Sequence, residues 1–162
     1  RQAQVERLRF EEPANIEALT KEVTGYIQEY TQAGGARPFG AALLLGGVDP
    51  DGTPRLFETD PSGTPYEWKA VSIGADRGDL QEYLEENYED DLTLDDGVGL
   101  ALRAVASTND DQLEASGVDV ATVSAETEAF VELENDEIAS YIEENDLEPT
   151  EEDEADEDED EE

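Results

Sequence analysis

The 162-residue sequence contains no cysteine, no histidine and no methionine, and only nine basic side chains. Without cysteine or histidine there is no disulfide, no thiolate nucleophile, no Ser–His or Cys–His dyad, and no zinc site built on either residue. Nine scattered cations cannot form the basic patch that neutralises phosphates, so nucleic-acid binding is excluded as a function class. Long apolar runs are missing too: the longest falls far short of the roughly 20 residues that span a bilayer, so no membrane segment is expected. Arg1–Phe10 has neither an apolar signal core nor an Ala-x-Ala cleavage site. The absence of methionine, with arginine first, predicts a soluble fragment that lacks its true start.

What is abundant is acid. The formal net charge is −37, from 46 acidic and nine basic residues. Glu143–Glu162 carries 15 of the acids and no base, which leaves a net −22 on residues 1–142. The bases are seven arginines and only two lysines, Lys21 and Lys69. A body rich in carboxylates and nearly emptied of lysine suits molar salt, where the Debye length shrinks to about 3 Å and like charges no longer drive the chain apart. The composition therefore predicts the cytoplasm of an extreme halophile.

Along the chain, Val5 and Leu8 are spaced like the end of a helix. Asn15 is a good N-cap for a helix in which Ile16, Leu19, Val23, Tyr26, Ile27 and Tyr30 share one face, and Gly34-Gly35 is its expected stop. Four short strands should follow in an antiparallel meander: Phe39–Leu45, Arg55–Thr59, Tyr66–Trp68 and Val71–Ile73. Asp/Pro/Gly turns separate them. Phe39–Leu45 does not alternate, which predicts burial on both faces. Helices are expected at Asp79–Tyr88 and behind Thr93, where Thr93 and Asp96 form a capping box. A polar loop at Asn109–Ser116 precedes strands at Asp119–Ser124 and Ala129–Leu133. Asn135 should cap a last helix carrying Ile138, Tyr141 and Ile142. From Glu143 the apolar period fades, and residues 146–162 read as a disordered acidic tail behind a domain at 1–145.

No segment carries an active site. Asp49-Pro50-Asp51-Gly52 has the opening of a calcium loop, but Pro54 and Arg55 occupy later ligand positions, so a solvated turn is expected. Gly34-Gly35 and Gly46-Gly47 end a helix and a strand instead of opening a helix after a strand, so neither is a phosphate cradle. Ile73–Gly78 does join a strand to a helix, yet Asp76 and Asp79 would repel an anion. Carboxylate pairs for acid–base work cannot be singled out among 46 acids. No catalytic, cofactor-binding or metal-ligating residue is expected, and no cofactor.

Longer strings carry a resemblance. IQEYTQAGGARPFGAALLLGGVD (Ile27–Asp49), PRLFETDPSGTPYEWKAVSIG (Pro54–Gly74) and LEENYEDDLTLDDGVGLALRAV (Leu84–Val105) resemble the α subunits of the archaeal proteasome core particle in their halophilic version. Several ordered motifs at fixed separation, from Arg1 to about Asn145, carry the match.

The resemblance implies an α+β fold, a four-layer α/β/β/α sandwich of the N-terminal-nucleophile hydrolase type, with its first strands absent from this chain. It implies a non-catalytic subunit that joins other α subunits in a seven-membered ring. That ring caps the proteasome β subunits, gates substrate entry and docks a regulatory AAA ATPase. The β subunits would supply the N-terminal threonine nucleophile. The alternatives left open are a catalytic β-type threonine protease subunit and an independent acidic binding module.

Overall fold

The computed structural model describes residues 15–32, 42–60, 62–109 and 112–148. The expected features at Val5 and Leu8, Gly34-Gly35, Phe39–Ala41 and 149–162 lie outside the described residues, as does the side chain of Tyr30. Two compact units emerge: one runs through Ala75 and includes Val123–Ala129, and the other comprises Asp76–Thr122 with the residues from Phe130 onward.

In the first unit, α1 spans Ile16–Gln32. Asn15 caps it as expected, its side-chain oxygen accepting the Ala18 amide at 3.0 Å. The buried stripe is Thr20, Thr24 and Ile27, whereas Tyr26 is 55% exposed. The expected apolar face is therefore rotated toward threonines. The physical reason is that each hydroxyl is satisfied within the helix: Thr20 donates to the Ile16 carbonyl at 2.8 Å and Thr24 to the Lys21 carbonyl at 3.0 Å. Both then pack as compact, β-branched, effectively apolar surface.

Three strands form the expected antiparallel meander, β1 Leu43–Val48, β2 Pro54–Thr59 and β3 Pro65–Trp68, in the order β1-β2-β3. Leu45 faces Phe57 and Gly47 faces Arg55 across β1–β2, while Phe57 faces Glu67 across β2–β3. Three expectations are corrected. β1 does not stop at Leu45 but continues through Gly46-Gly47, and Leu43 and Leu44 are 38% and 41% exposed instead of buried. Leu43 and Leu44 stand on opposite faces of β1, and the described elements leave both faces partly open there. Val71–Ile73 forms no strand, because a bend at Lys69-Ala70 takes the chain out of register after β3.

Glycine is required at Gly63. Its φ of +84° is left-handed, and a Cβ there would approach the Thr24 carbonyl oxygen to 3.0 Å. The preceding turn is organised by Asp60, whose carboxylate accepts the Ser62 and Thr64 amides at 2.9 Å and the Ser62 hydroxyl at 2.6 Å.

In the second unit, α2 (Arg77–Asn87) begins two residues before its expected start and buries Leu84. α3 (Leu94–Ala106) opens on the expected capping box: the Asp96 amide donates to the Thr93 hydroxyl, and the Thr93 amide and hydroxyl donate to Asp96. A 3-10 turn, Ala115–Gly117, ends the expected polar loop. β4 (Ala121–Val123), whose last residue is counted with the first unit, and β5 (Phe130–Glu132) make a two-stranded sheet, shorter at both ends than the sequence suggests.

α4 spans Asn135–Glu144. Its cap is Glu134 and not Asn135, which is already helical; the Glu134 amide donates to Glu137 Oε2 at 2.9 Å. The helix ends in a Schellman arrangement. Asp146 adopts φ 56°, its amide donates to the Glu143 carbonyl, and the Leu147 amide donates to that of Ile142.

Val98, Leu102 and Ala106 of α3, Leu113, Ile138 and Ile142 of α4, and Leu147 form the hydrophobic core of this unit. The three α3 residues are spaced by four, as are the two from α4, so each helix contributes one stripe. Packing thus continues beyond Glu143 to Leu147, which also accepts the Leu113 amide at 2.7 Å. Antiparallel sheets with packed helices give the α+β composition expected of the chain.

Candidate functional site

The calcium-like turn does different work from the one its pattern suggests. Asp49 was expected in a solvated turn but is 3% exposed. One of its carboxylate oxygens accepts the Ile16 amide at 2.7 Å. The other accepts the Asn15 side-chain amide at 3.0 Å and Arg55 Nη1 at 3.3 Å. A β-hairpin residue thereby supplies a second, non-local cap to the first turn of α1, where backbone amides and the helix dipole favour a carboxylate. Asp51 stays at the surface, accepting the Thr53 amide at 3.0 Å, a bond that holds its carboxyl below the ordinary range.

Arg55 is the hub beside it. Its Nε donates to Glu67 at 2.5 Å and its Nη2 reaches Glu17 at 3.5 Å, while its guanidinium lies 5.3 Å from the Phe57 ring centre. Glu67, with the other carboxylates, raises the guanidinium's proton affinity further. Glu17 also pairs with Lys21 at 2.5 Å, and that bond is the main cause of its lowered pKa. The sequence reading missed both Asp49 and Arg55 as organising residues. The available signal was Arg55 and Phe57 alternating on one strand face, a lone cation within a run of acids.

Gly46-Gly47 lies inside β1, and a Cβ on Gly47 would fall 2.5 Å from Ile16 Cδ1, so the small residue lets the start of α1 come down on the sheet. Gly74 has φ 133° ahead of α2, whose Asp76 cap makes no side-chain hydrogen bond. Among the described residues, no group of three or more Asp or Glu side chains is arranged to hold a metal ion. No described helix is long and apolar enough to cross a membrane.

A groove of about 300 Å³ runs beside α3, lined by Val98, Ala101, Leu102 and Val105 with Val118 and Val120, and edged by Asp119. Phe130 and Val131 of β5 are 64% and 45% exposed, on opposite faces of one strand. These apolar side chains lie open in a chain of formal net charge −37.

Residues 1–123 match the proteasome subunit family. The chain belongs to that family. It is 72% identical over 152 residues to "Proteasome subunit alpha" of Haloquadratum walsbyi, covering 94% of this chain and 60% of that protein. It is 73% identical over 154 residues to "Proteasome subunit alpha 1" of Haloferax volcanii, covering 95% of this chain and 61% of that relative. A "Proteasome subunit alpha 1" of Haloarcula marismortui is 60% identical over 161 residues, with 99% of this chain and 62% of that protein covered. The chain thus spans about three-fifths of the length of these haloarchaeal proteasome subunits. Their habitat accords with the charge pattern of this family member.

Proposed function

We propose that the chain acts in protein degradation as an α-type subunit of a haloarchaeal proteasome core particle, through assembly and without bond-making chemistry of its own. What supports this is its identity of 60 to 73%, over nearly all its length, to proteins bearing the α-subunit name. In this reading its partners are other α subunits in a seven-membered ring, the β subunits beneath that ring, and a regulatory AAA ATPase above it. The ring gates access to a chamber in which the β subunits cleave. The whole domain is the four-layer α/β/β/α sandwich, working in the cytoplasm.

Peptide hydrolysis separates this reading from a catalytic β-type role. With a fluorogenic peptide in molar KCl, the chain alone should give no turnover. The chain with a haloarchaeal β subunit should give turnover that disappears when the β threonine nucleophile is replaced. Hydrolysis by the chain alone would overturn the assignment.

A further inference from the structure

Asp49 and Arg55 meet at the point where α1 begins, and they differ from their ionic partners in one respect. The side chain of Asp49 is 4% exposed and that of Arg55 20%, whereas Glu67 and Glu17 are 49% and 42% exposed. Screening by salt acts strongly on exposed pairs and weakly on hidden ones. The three carboxylate–guanidinium contacts around α1 therefore divide into an inner pair and two outer arms.

We propose that the Asp49–Arg55 pair is a salt-resistant clasp that seats the first turn of α1 on the β1–β2 hairpin, while the Glu17 and Glu67 arms serve only at low ionic strength. Three independent contacts converge on this seat. Asp49 binds the Ile16 amide at 2.7 Å, the Ile16 side chain lies over Gly47, and Asn15 bonds both Asp49 and the Ala18 amide. Gly47 stands opposite Arg55 in the sheet, so the hairpin brings the guanidinium and the helix start to one place. Asp49 itself follows β1 directly and closes the hairpin turn, its carbonyl accepting the Gly52 amide at 2.8 Å and its amide donating to Thr53 at 2.9 Å. The backbone from which the carboxylate extends is thus held by the turn, and the carboxylate itself is held by the Ile16 amide, Asn15 and Arg55. A subunit that must hold one shape in molar salt gains from a tie that screening does not loosen.

Amide hydrogen exchange of the whole chain, in the lowest KCl that keeps it folded and in molar KCl, tests the division. In the unsubstituted protein the amides at the start of α1 should keep their protection, relative to those of α3 and α4, at both salt levels. Asp49→Asn should lower protection of the first α1 turn roughly tenfold or more at both, as loss of a charged hydrogen bond does. Glu67→Gln should lower it at low KCl only. Should Asp49→Asn fail to fold, with α3 and α4 exchanging freely as well, Arg55→Lys decides, because it retains charge and loses the fork that reaches three carboxylates. It should loosen the first turn of α1 at both salt levels and leave α3 and α4 protected. Unchanged α1 protection in Asp49→Asn or Arg55→Lys, or a Glu67→Gln loss that persists in molar KCl, would overturn the proposal.

Discussion

At the scale of single residues, partners and not burial decide what each polar group contributes. Thr59 is fully buried, and its hydroxyl finds no hydrogen-bond partner among the described residues. Such a group carries an uncompensated desolvation cost of about 1–3 kcal/mol. Thr59→Val, nearly the same shape, should therefore be neutral or stabilising in urea unfolding, and a loss above about 1 kcal/mol would show that the hydroxyl is bonded after all.

Tyr141 is the opposite case. Its hydroxyl donates to Asp95 Oδ1 at 2.7 Å, and that bond, then burial and nearby carboxylates, lift its pKa above the ordinary 10.0. A folded-state pKa raised above the unfolded one stabilises the protein fully below the unfolded value, and the contribution is lost as pH rises through the folded value. Phenolate absorbance during alkaline titration should show one late-titrating tyrosine that moves earlier in Asp95→Asn.

The carboxylates of Asp60 and Asp96 have the reverse sign. Hydrogen bonds from Ser62 and from Thr93, respectively, lower their pKa values. Their stabilisation is complete above the unfolded carboxylate range and vanishes as pH falls through their lowered values. In molar salt, where general repulsion is screened, acid unfolding should still occur below that range. Replacing Thr93 by alanine should reduce the part that Asp96 contributes.

Elements were legible in the sequence wherever local chemistry settles them. Asn15 before an amphipathic run, Thr93 three residues ahead of Asp96, and the Asp/Pro/Gly turns between strands each define a start or a reversal without reference to the rest of the chain. What stayed hidden depends on distant partners. Nothing local makes Thr20 and Thr24 core residues until a sheet covers them, and nothing in Asp-Pro-Asp-Gly indicates that Asp49 turns back to cap a helix 33 residues upstream. Continuous apolarity likewise suggests burial of Leu43 and Leu44 on both faces, but burial depends on what packs on each face, and the described elements leave both residues exposed.

The close of α4 gives an element-scale prediction. Asp146 holds the left-handed position that glycine fills without cost, while Leu147 packs back into the core. Asp146→Gly should raise stability by up to about 1 kcal/mol. Ile138, in the α4 stripe and 1% exposed, should cost about 2–5 kcal/mol of stability on replacement by alanine.

At the scale of the whole molecule, charge governs. A formal −37 is tolerable only where counterions screen it, so the unfolding midpoint should climb steeply with KCl toward molar concentrations. Melting curves that are flat across that range would contradict a halophilic design.

The exposed apolar residues of β1 and β5 and the groove beside α3 belong to the same scale, since uncharged surface lets an acidic chain associate without bringing like charges together. The most direct test of that account is the mass and shape of what forms when the chain is co-expressed with a haloarchaeal proteasome β subunit and purified in molar KCl. Light scattering and electron microscopy should find stacked rings with this chain in the outer ones. A monomer that never binds the β subunit under those conditions would contradict it.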